Sequence, residues 1–326
     1  MRKVFFIFLV SLFLGGCETI IPKTEVANVP QWLLNPPTDS HETWWGVGEG
    51  QDRDVAKRAA LKDVAAKLKV SISGKLESQV TDNNGKVDRQ ARNRISEEVQ
   101  KTEFSHYTIE KTAQSGSHFY VMAKVDRQAF IRDVKAKLDA FDTTIQQATS
   151  GIEKKSSIEH FVSLRRLGPT LDKAIAQAQL LMGAEIGSSG LTRLNRYQNL
   201  QQQTSDATTG LVFQLQSKHE DNDIAAAVAT YLNESGIRAD ASPSSSGNIL
   251  AISSSNRQDE IYGNKFVKLN ISLSVKDDRG RSIASRDFEV SGSSRYDFSA
   301  ARQGAVKNLK NTLREAGPIA GLGFNN

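Results

Sequence analysis

The chain has 326 residues, with 42 Lys+Arg against 37 Asp+Glu, a formal net charge of +5, one Cys and seven Pro. That length holds about two domains of ordinary size, each long enough to bury a core. A composition that is 38% hydrophobic and 24% charged excludes wholesale disorder, the single Cys excludes a disulfide framework or a thiolate zinc site, and a small excess of interspersed cations is no nucleic-acid footprint. The chain opens with Arg2 and Lys3, then an apolar run from Val4 to Leu14, then Gly15, Gly16 and Cys17. A basic start, a short apolar stretch and small residues make the layout of a secretory signal peptide. At about 1.5 Å per helical residue the run is too short for a hydrocarbon core of about 30 Å, so it predicts a removable leader and not a lasting span.

Leu14-Gly15-Gly16-Cys17 resembles the lipobox of bacterial lipoproteins. The resemblance implies cleavage between Gly16 and Cys17, diacylglycerol on the Cys17 thiol and a fatty acyl group, such as palmitate, on the new amino terminus. Several acyl chains, at about 0.8 kcal/mol per buried CH₂, hold a protein on a bilayer without a spanning helix. Glu18, not Asp, follows the Cys; by the same resemblance the destination is the outer membrane, facing the periplasm. Loss of Arg2 and Lys3 with the leader (residues 1–16) reduces the cationic excess further.

Residues 17–29 lack a hydrophobic period and read as a flexible tether. Pro30-Gln31-Trp32 through Asn35-Pro36-Pro37 reads as an extended, polyproline-like arm. A strand follows at Thr43–Gly48, then an amphipathic helix from Asp52 to Lys69, in which Val55, Ala59, Val64, Ala65 and Leu68 recur on one side. Val70-Ser-Ile-Ser-Gly-Lys-Leu76 alternates and predicts a strand, Asn83-Asn84-Gly85 a turn, and Asp88 to Thr102 a second helix. Phe104–Glu110 and Phe119–Val125, separated by Gln114-Ser115-Gly116-Ser117, predict a hairpin. The predicted order is β-α-β-α-β-β.

The Pro30-x-Trp32 start, Gly46-x-Gly48-x-Gly50, the alanine-rich helix (Ala56, Ala59, Ala60, Ala65, Ala66), Val70-x-Ile72-x-Gly74 and the closing Phe119-Tyr120-Val121 together resemble the FlgP-like, LPP-type outer-membrane lipoproteins over about residues 30–130. That resemblance implies a surface or periplasmic assembly role, with a flagellar setting open.

From Phe130 the period becomes helical: Phe130, Val134, Leu138, Phe141, Ile145, Ala148 and Ile152, then Ile158 to Leu167, an expected interruption at Gly168-Pro169, then Leu171 to Met182 and Leu191 to Leu200. Residues 130–203 thus predict a helical hairpin spacer whose seam is either internal packing or an oligomer contact, and Gln201–Thr209 reads as a polar linker. The C-terminal region, 204–326, predicts β-α-β-β-β-β-α: strands at 211–216, 237–239, 249–252, 266–275 and 282–290, helices at 223–235 and 297–316, the last stopped by Gly317-Pro318. This pattern weakly resembles the α/β domain of the TolB N-terminal region and of LpoB-type activators of cell-wall synthases, which implies a protein-binding module. The fold class is α+β: two small α/β sandwich-like domains (30–129 and 204–326) joined by the hairpin.

No metal spacing links His41, His106, His118, His160 and His219, although His106 and His118 could meet across the hairpin. Gly46-Val-Gly-Glu-Gly50 lacks the last glycine spacing of a dinucleotide fingerprint and the Lys-Ser/Thr of a P-loop, and Glu49 repels phosphate; a close-packed strand end is the better reading. The Ser244 and Ser253 runs fall in expected loops, and Asp277-Asp278 and Asp221/Asp223 read as turn and helix-start residues. The chain is therefore read as non-enzymatic, with no metal, no cofactor beyond the lipid on Cys17, no nucleic acid and no small-molecule substrate. Its expected partners are the membrane and an envelope protein or a second copy of itself. Trp32, Trp44 and Trp45 are the candidate partner-binding residues; neighbours on a strand face opposite ways, so Trp44 and Trp45 cannot both enter one core.

Overall fold

The computed structural model describes residues 29–82, 102–240 and 247–324. Strand β1 (Thr43–Gly50), helix α2 (Arg53–Asp82), and strands β2 (Tyr107–Ser115) and β3 (His118–Asp126) follow a single helical turn, α1 (Gln31–Leu34). The sheet is antiparallel in the order β1-β3-β2. Trp44, Gly46 and Gly48 share the face that α2 covers, and the helix comes so close that a Cβ on Gly46 would sit 2.1 Å from the Ala60 carbonyl oxygen and one on Gly48 2.2 Å from the Ala60 nitrogen. The glycine run and the alanine run are two halves of one seam, with Ala56 and Ala60 fully buried. The outer edge of β1 is finished by side chains: Asp39 accepts from the Trp45 N–H (2.8 Å), Asp63 from the Val47 N–H (3.2 Å), and the Lys67 ammonium donates to the Trp45 carbonyl (2.6 Å).

Two expectations for this region are corrected. The Pro30–Pro37 arm is not wholly extended, because Pro30 caps the turn α1, where its fixed φ suits a helix start, and the turn ends before Asn35-Pro36. Val70–Leu76 is helical, not a strand: α2 runs on to Asp82, and Leu68 and Ile72, four apart, bury on one side while Val70 is exposed. The described order is thus β-α-β-β. The Asn83-Asn84-Gly85 turn and the helix expected from Asp88 lie outside the described residues, as does Cys17.

Helix α3 (Arg127–Thr149) starts at Asp126, whose carboxylate accepts from the Ala129 N–H at 2.8 Å, and its buried stripe is Phe130, Val134, Leu138 and Ile145. After a turn at Gly151, α4 (Ser157–Ala184) opens with a capping box between Ser156 and Glu159. The interruption expected at Gly168-Pro169 does not occur; α4 continues through it because Leu167 and Leu171 are buried on either side. The linker expected at Gln201–Thr209 is the end of helix α5 (Ser189–Gly210), where Thr204 and Thr208 are buried and their hydroxyls donate to the carbonyls of Leu200 and Thr204. The spacer is three helices, not a two-helix hairpin. It has no separate core: Trp44, Leu68, Ile72 and Phe130 belong to one cluster with Leu171, Leu181 and Tyr197.

The remaining elements are β4 (Val212–Ser217), α6 (Asn222–Glu234), β5 (Arg238–Asp240), β6 (Asn248–Ile261), β7 (Asn264–Lys276), β8 (Ser282–Ser294) and α7 (Phe298–Gly321). This is the predicted order, in a five-stranded sheet β5-β4-β6-β7-β8 with β4 parallel to β5 and β6. Ser253–Ser255, expected in a loop, lies within β6, which pairs with β7 from Ile249 to Ile261. Leu250, Val267 and Leu273 pack with Val228 and Leu232 of α6 and Leu309 and Leu313 of α7, and α4 contributes Ile158, Phe161 and Val162. Gly317 (φ +73°) kinks α7 before Pro318, and the tail folds back to bury Leu322. Among the described residues no helix is long and apolar enough to cross a membrane.

Candidate partner-binding surfaces

The three tryptophans separate. Trp44 is 6% exposed, edge-on to Phe104 and Phe130 at centroid distances of 6.3 and 5.5 Å. The Arg127 guanidinium lies 5.2 Å from the centre of its ring, donates through Nε to the Ala184 carbonyl (2.7 Å) and reaches the Ser40 carbonyl (2.8 Å). Burial pushes the Arg127 pKa down, with Asp39 opposing. Trp44 is therefore a core residue. Trp45 turns to the other face, half-buried beneath the Lys124 ammonium at 5.8 Å from the ring centre. Trp32 is half-buried on α1, which packs against β3, and Leu34 beside it is exposed.

A second surface went unread in the sequence. Beyond Ile252 the β6–β7 ribbon runs on to a two-residue turn, Tyr262-Gly263, with φ of +49° and +77°. This is the handedness that hairpin turns prefer, but a Tyr at the first position is a strained choice. Tyr262 is 100% exposed, Ile261 53% and Phe266 38%. Ser294 of β8 pairs with Lys265, so the chain leaves the sheet at the same end and carries Tyr296, 88% exposed, to it. Half of the large hydrophobic residues exposed among the described ones gather at this tip. Its charges are largely engaged with one another: Lys265 with Glu260, Arg257 with Asp259 at 3.0 Å, and Lys268 with Glu289 at 2.7 Å. The signal for the tip was a Tyr-Gly pair between two extended segments; it is weak because hairpin turns are usually marked by Asn-Gly or Asp-Gly.

The polar constellations act structurally. His106 meets Asp133 at 3.0 Å and His118 meets Glu49 at 2.6 Å; they stand at opposite ends of the β2–β3 hairpin and do not meet. Buried Asp221 accepts from the Ser254 N–H at 3.3 Å, and Asp223 takes a two-pronged contact from Arg302 (2.7 and 2.8 Å) that holds its pKa below the usual carboxylate range. Asp277 accepts from the N–H groups of Arg279 and Arg281, closing the β7–β8 turn. Among the described residues no group of three or more His, Cys, Asp or Glu could hold a metal ion.

Residues 30–126 match the family model described as LPP20 lipoprotein. The N-terminal part of the chain is thus similar to a bacterial lipoprotein family. No curated protein matches the chain significantly. Among solved structures, a minor lipoprotein from Acinetobacter baumannii is 18% identical over 32% of this chain and 87% of that one, with a TM-score of 0.26. The secreted protein HP1454 from Helicobacter pylori is 14% identical over 74% of this chain and 85% of that one, with a TM-score of 0.37.

Proposed function

We propose that the chain is a non-enzymatic lipoprotein, anchored to the outer membrane through acyl chains on Cys17 and facing the periplasm, that serves envelope assembly through protein contacts. In this reading residues 17–29 are the tether, α3–α5 pack on the N-terminal α/β unit while the start of α4 joins the C-terminal one, and a flagellar structure is one setting. The lipoprotein-family match supports the anchor. The observation that carries the contact role is the gathering of Ile261, Tyr262, Phe266 and Tyr296 at the tip of the C-terminal sheet. Exposed aromatic side chains with few rotatable bonds are suited to be contact hot spots. The strand order of the C-terminal region favours a second reading, a regulator that binds and activates a cell-wall synthase or another envelope machine.

A photo-crosslinking residue in place of Tyr262, in the native envelope, is the test. The expected outcome is a discrete protein adduct that is lost when Tyr296 is also changed to Ser, and lost from the membrane fraction in Cys17→Ser, whose mass lacks the acyl groups. A multi-subunit structure as adduct favours the assembly role and a single envelope enzyme the regulator. No adduct, or a Cys17→Ser chain of unchanged mass and partitioning, overturns the proposal.

A further inference from the structure

The two edges of the N-terminal sheet are finished differently. On β1, Asp39, Asp63 and Lys67 engage the outward N–H and C=O of Trp45 and the outward N–H of Val47, which shields the middle of that edge from strand addition. The same bonds set the parity of the sheet. Because the Trp45 and Val47 N–H groups point away from β3, Trp44, Gly46 and Gly48 exchange hydrogen bonds with Val125, Ala123 and Val121, and Lys124, Met122 and Tyr120 turn their backbone groups to β2. Their partners Thr108, Lys111 and Ala113 bond inward. The N–H and C=O groups of Tyr107, Ile109, Thr112 and Gln114 are left directed out of the sheet, and among the described residues β2 has β3 as its one strand neighbour.

We propose that this edge pairs antiparallel with β2 of a second copy, about a two-fold axis between Glu110 and Lys111. In that register Tyr107 meets Gln114 of the second copy and Ile109 meets its Thr112, so every outward group faces an outward group. All four residues also share the α2 side of the sheet, since they sit opposite Val125, Ala123, Val121 and Phe119. The register shift between Ile109 and Lys111 makes this possible: without the extra residue at Glu110, Ile109 and Thr112 would fall on opposite faces. On the other side Thr108 meets Ala113. At the centre each Glu110 faces the Lys111 of the other copy, so the axis creates two opposite-charge pairs. A strand that is its own complement in hydrogen bonding, face and charge fits a second copy of itself through an isologous contact. The pairing deepens the assembly role proposed above and rests on that reading for its use in the envelope, while its physical basis is the strand alone.

Sedimentation equilibrium of the purified full chain tests it. The expected result is a concentration-dependent dimer. Lys111→Glu, which turns two attractive pairs repulsive, weakens it roughly tenfold, and the exchange Glu110→Lys with Lys111→Glu restores it. Thr112→Pro removes an outward N–H and abolishes the dimer while the circular dichroism spectrum is retained. A chain that is monomeric at every concentration, or an association that neither Lys111→Glu nor Thr112→Pro changes, overturns the pairing. Loss of the dimer with the Tyr262 adduct intact condemns the pairing alone; loss of the adduct with the dimer intact condemns the proposed function alone.

Discussion

At Gly48 a single hydrogen atom decides whether α2 can lie on β1. A methyl group there would meet Ala60 N at 2.2 Å and Ala56 O at 2.4 Å, backbone atoms that cannot rotate away. Gly48→Ala is expected to destabilise the chain by about 3 kcal/mol, through overpacking of a seam with no slack, read as a lowered urea midpoint with unchanged slope. A loss below about 0.5 kcal/mol, the size of an ordinary surface change, would contradict the seam. This seam was legible: Gly-x-Gly-x-Gly on a strand followed by Ala-rich helix turns has one economical arrangement, small residue against small residue. The fate of the tryptophans was only half legible. Alternation says that Trp44 and Trp45 face opposite ways, but that Trp44 is the buried one depends on Phe104 and Phe130, residues far along the chain.

At the scale of the element, a distant partner overrides local pattern. Val70–Leu76 alternates like a strand, yet it is helical because α4 receives it: Ile72 and Leu68 pack where a Cβ on Gly183 would intrude, Ser71 donates to the Gly183 carbonyl, and the Lys75 ammonium caps the end of α4 by donating to the carbonyls of Met182 and Glu185. No window of the sequence contains both halves of that contact. The same holds for α6 and α7, which are joined by Glu234 to Arg314, two bonds of 2.9 Å, and to Lys310 at 2.9 Å. Hydrogen bonds from Arg314 and then Lys310 hold the Glu234 pKa down to about 2, against an ordinary 4.5. A lowered carboxylate pKa stabilises the fold above the unfolded value and loses that contribution as pH falls toward the folded one. The stability difference between the native chain and Glu234→Gln is therefore expected to favour the native chain at pH 5 and to shrink as pH falls from about 4.5 to about 2. Urea midpoints of the two chains across that range check it, and a difference that stays constant with pH would remove the ion pairs from the α6–α7 contact.

Across the whole molecule, α4 passes from one core to the other. Its first turns put Ile158, Phe161 and Val162 into the C-terminal cluster, and from Leu167 onward it belongs to the N-terminal one. The changeover falls between Val162 and Leu167, just ahead of Gly168-Pro169, the pair that the sequence marks as a break. The backbone does not break there, but the signal had a physical basis: proline removes one helical N–H, both residues are poor helix formers, and an open cleft lined by Arg165, Pro169, Asp172 and Thr204 separates α4 from α5 at this level. All three tryptophans lie on the N-terminal side, so fluorescence reports that core, whereas far-ultraviolet circular dichroism reports both. Phe161→Ala should weaken the C-terminal core by about 3–5 kcal/mol, the usual range for truncating a buried aromatic. If α4 is weakest at its changeover, the dichroism transition moves to lower urea and the tryptophan transition stays in place. In a Gly168→Ala, Pro169→Ala background, where the helix gains its missing bond, the same substitution should drag the tryptophan midpoint down with it. Coincident shifts in the native background would mean that the two cores already unfold as one and that the Gly-Pro pair insulates nothing.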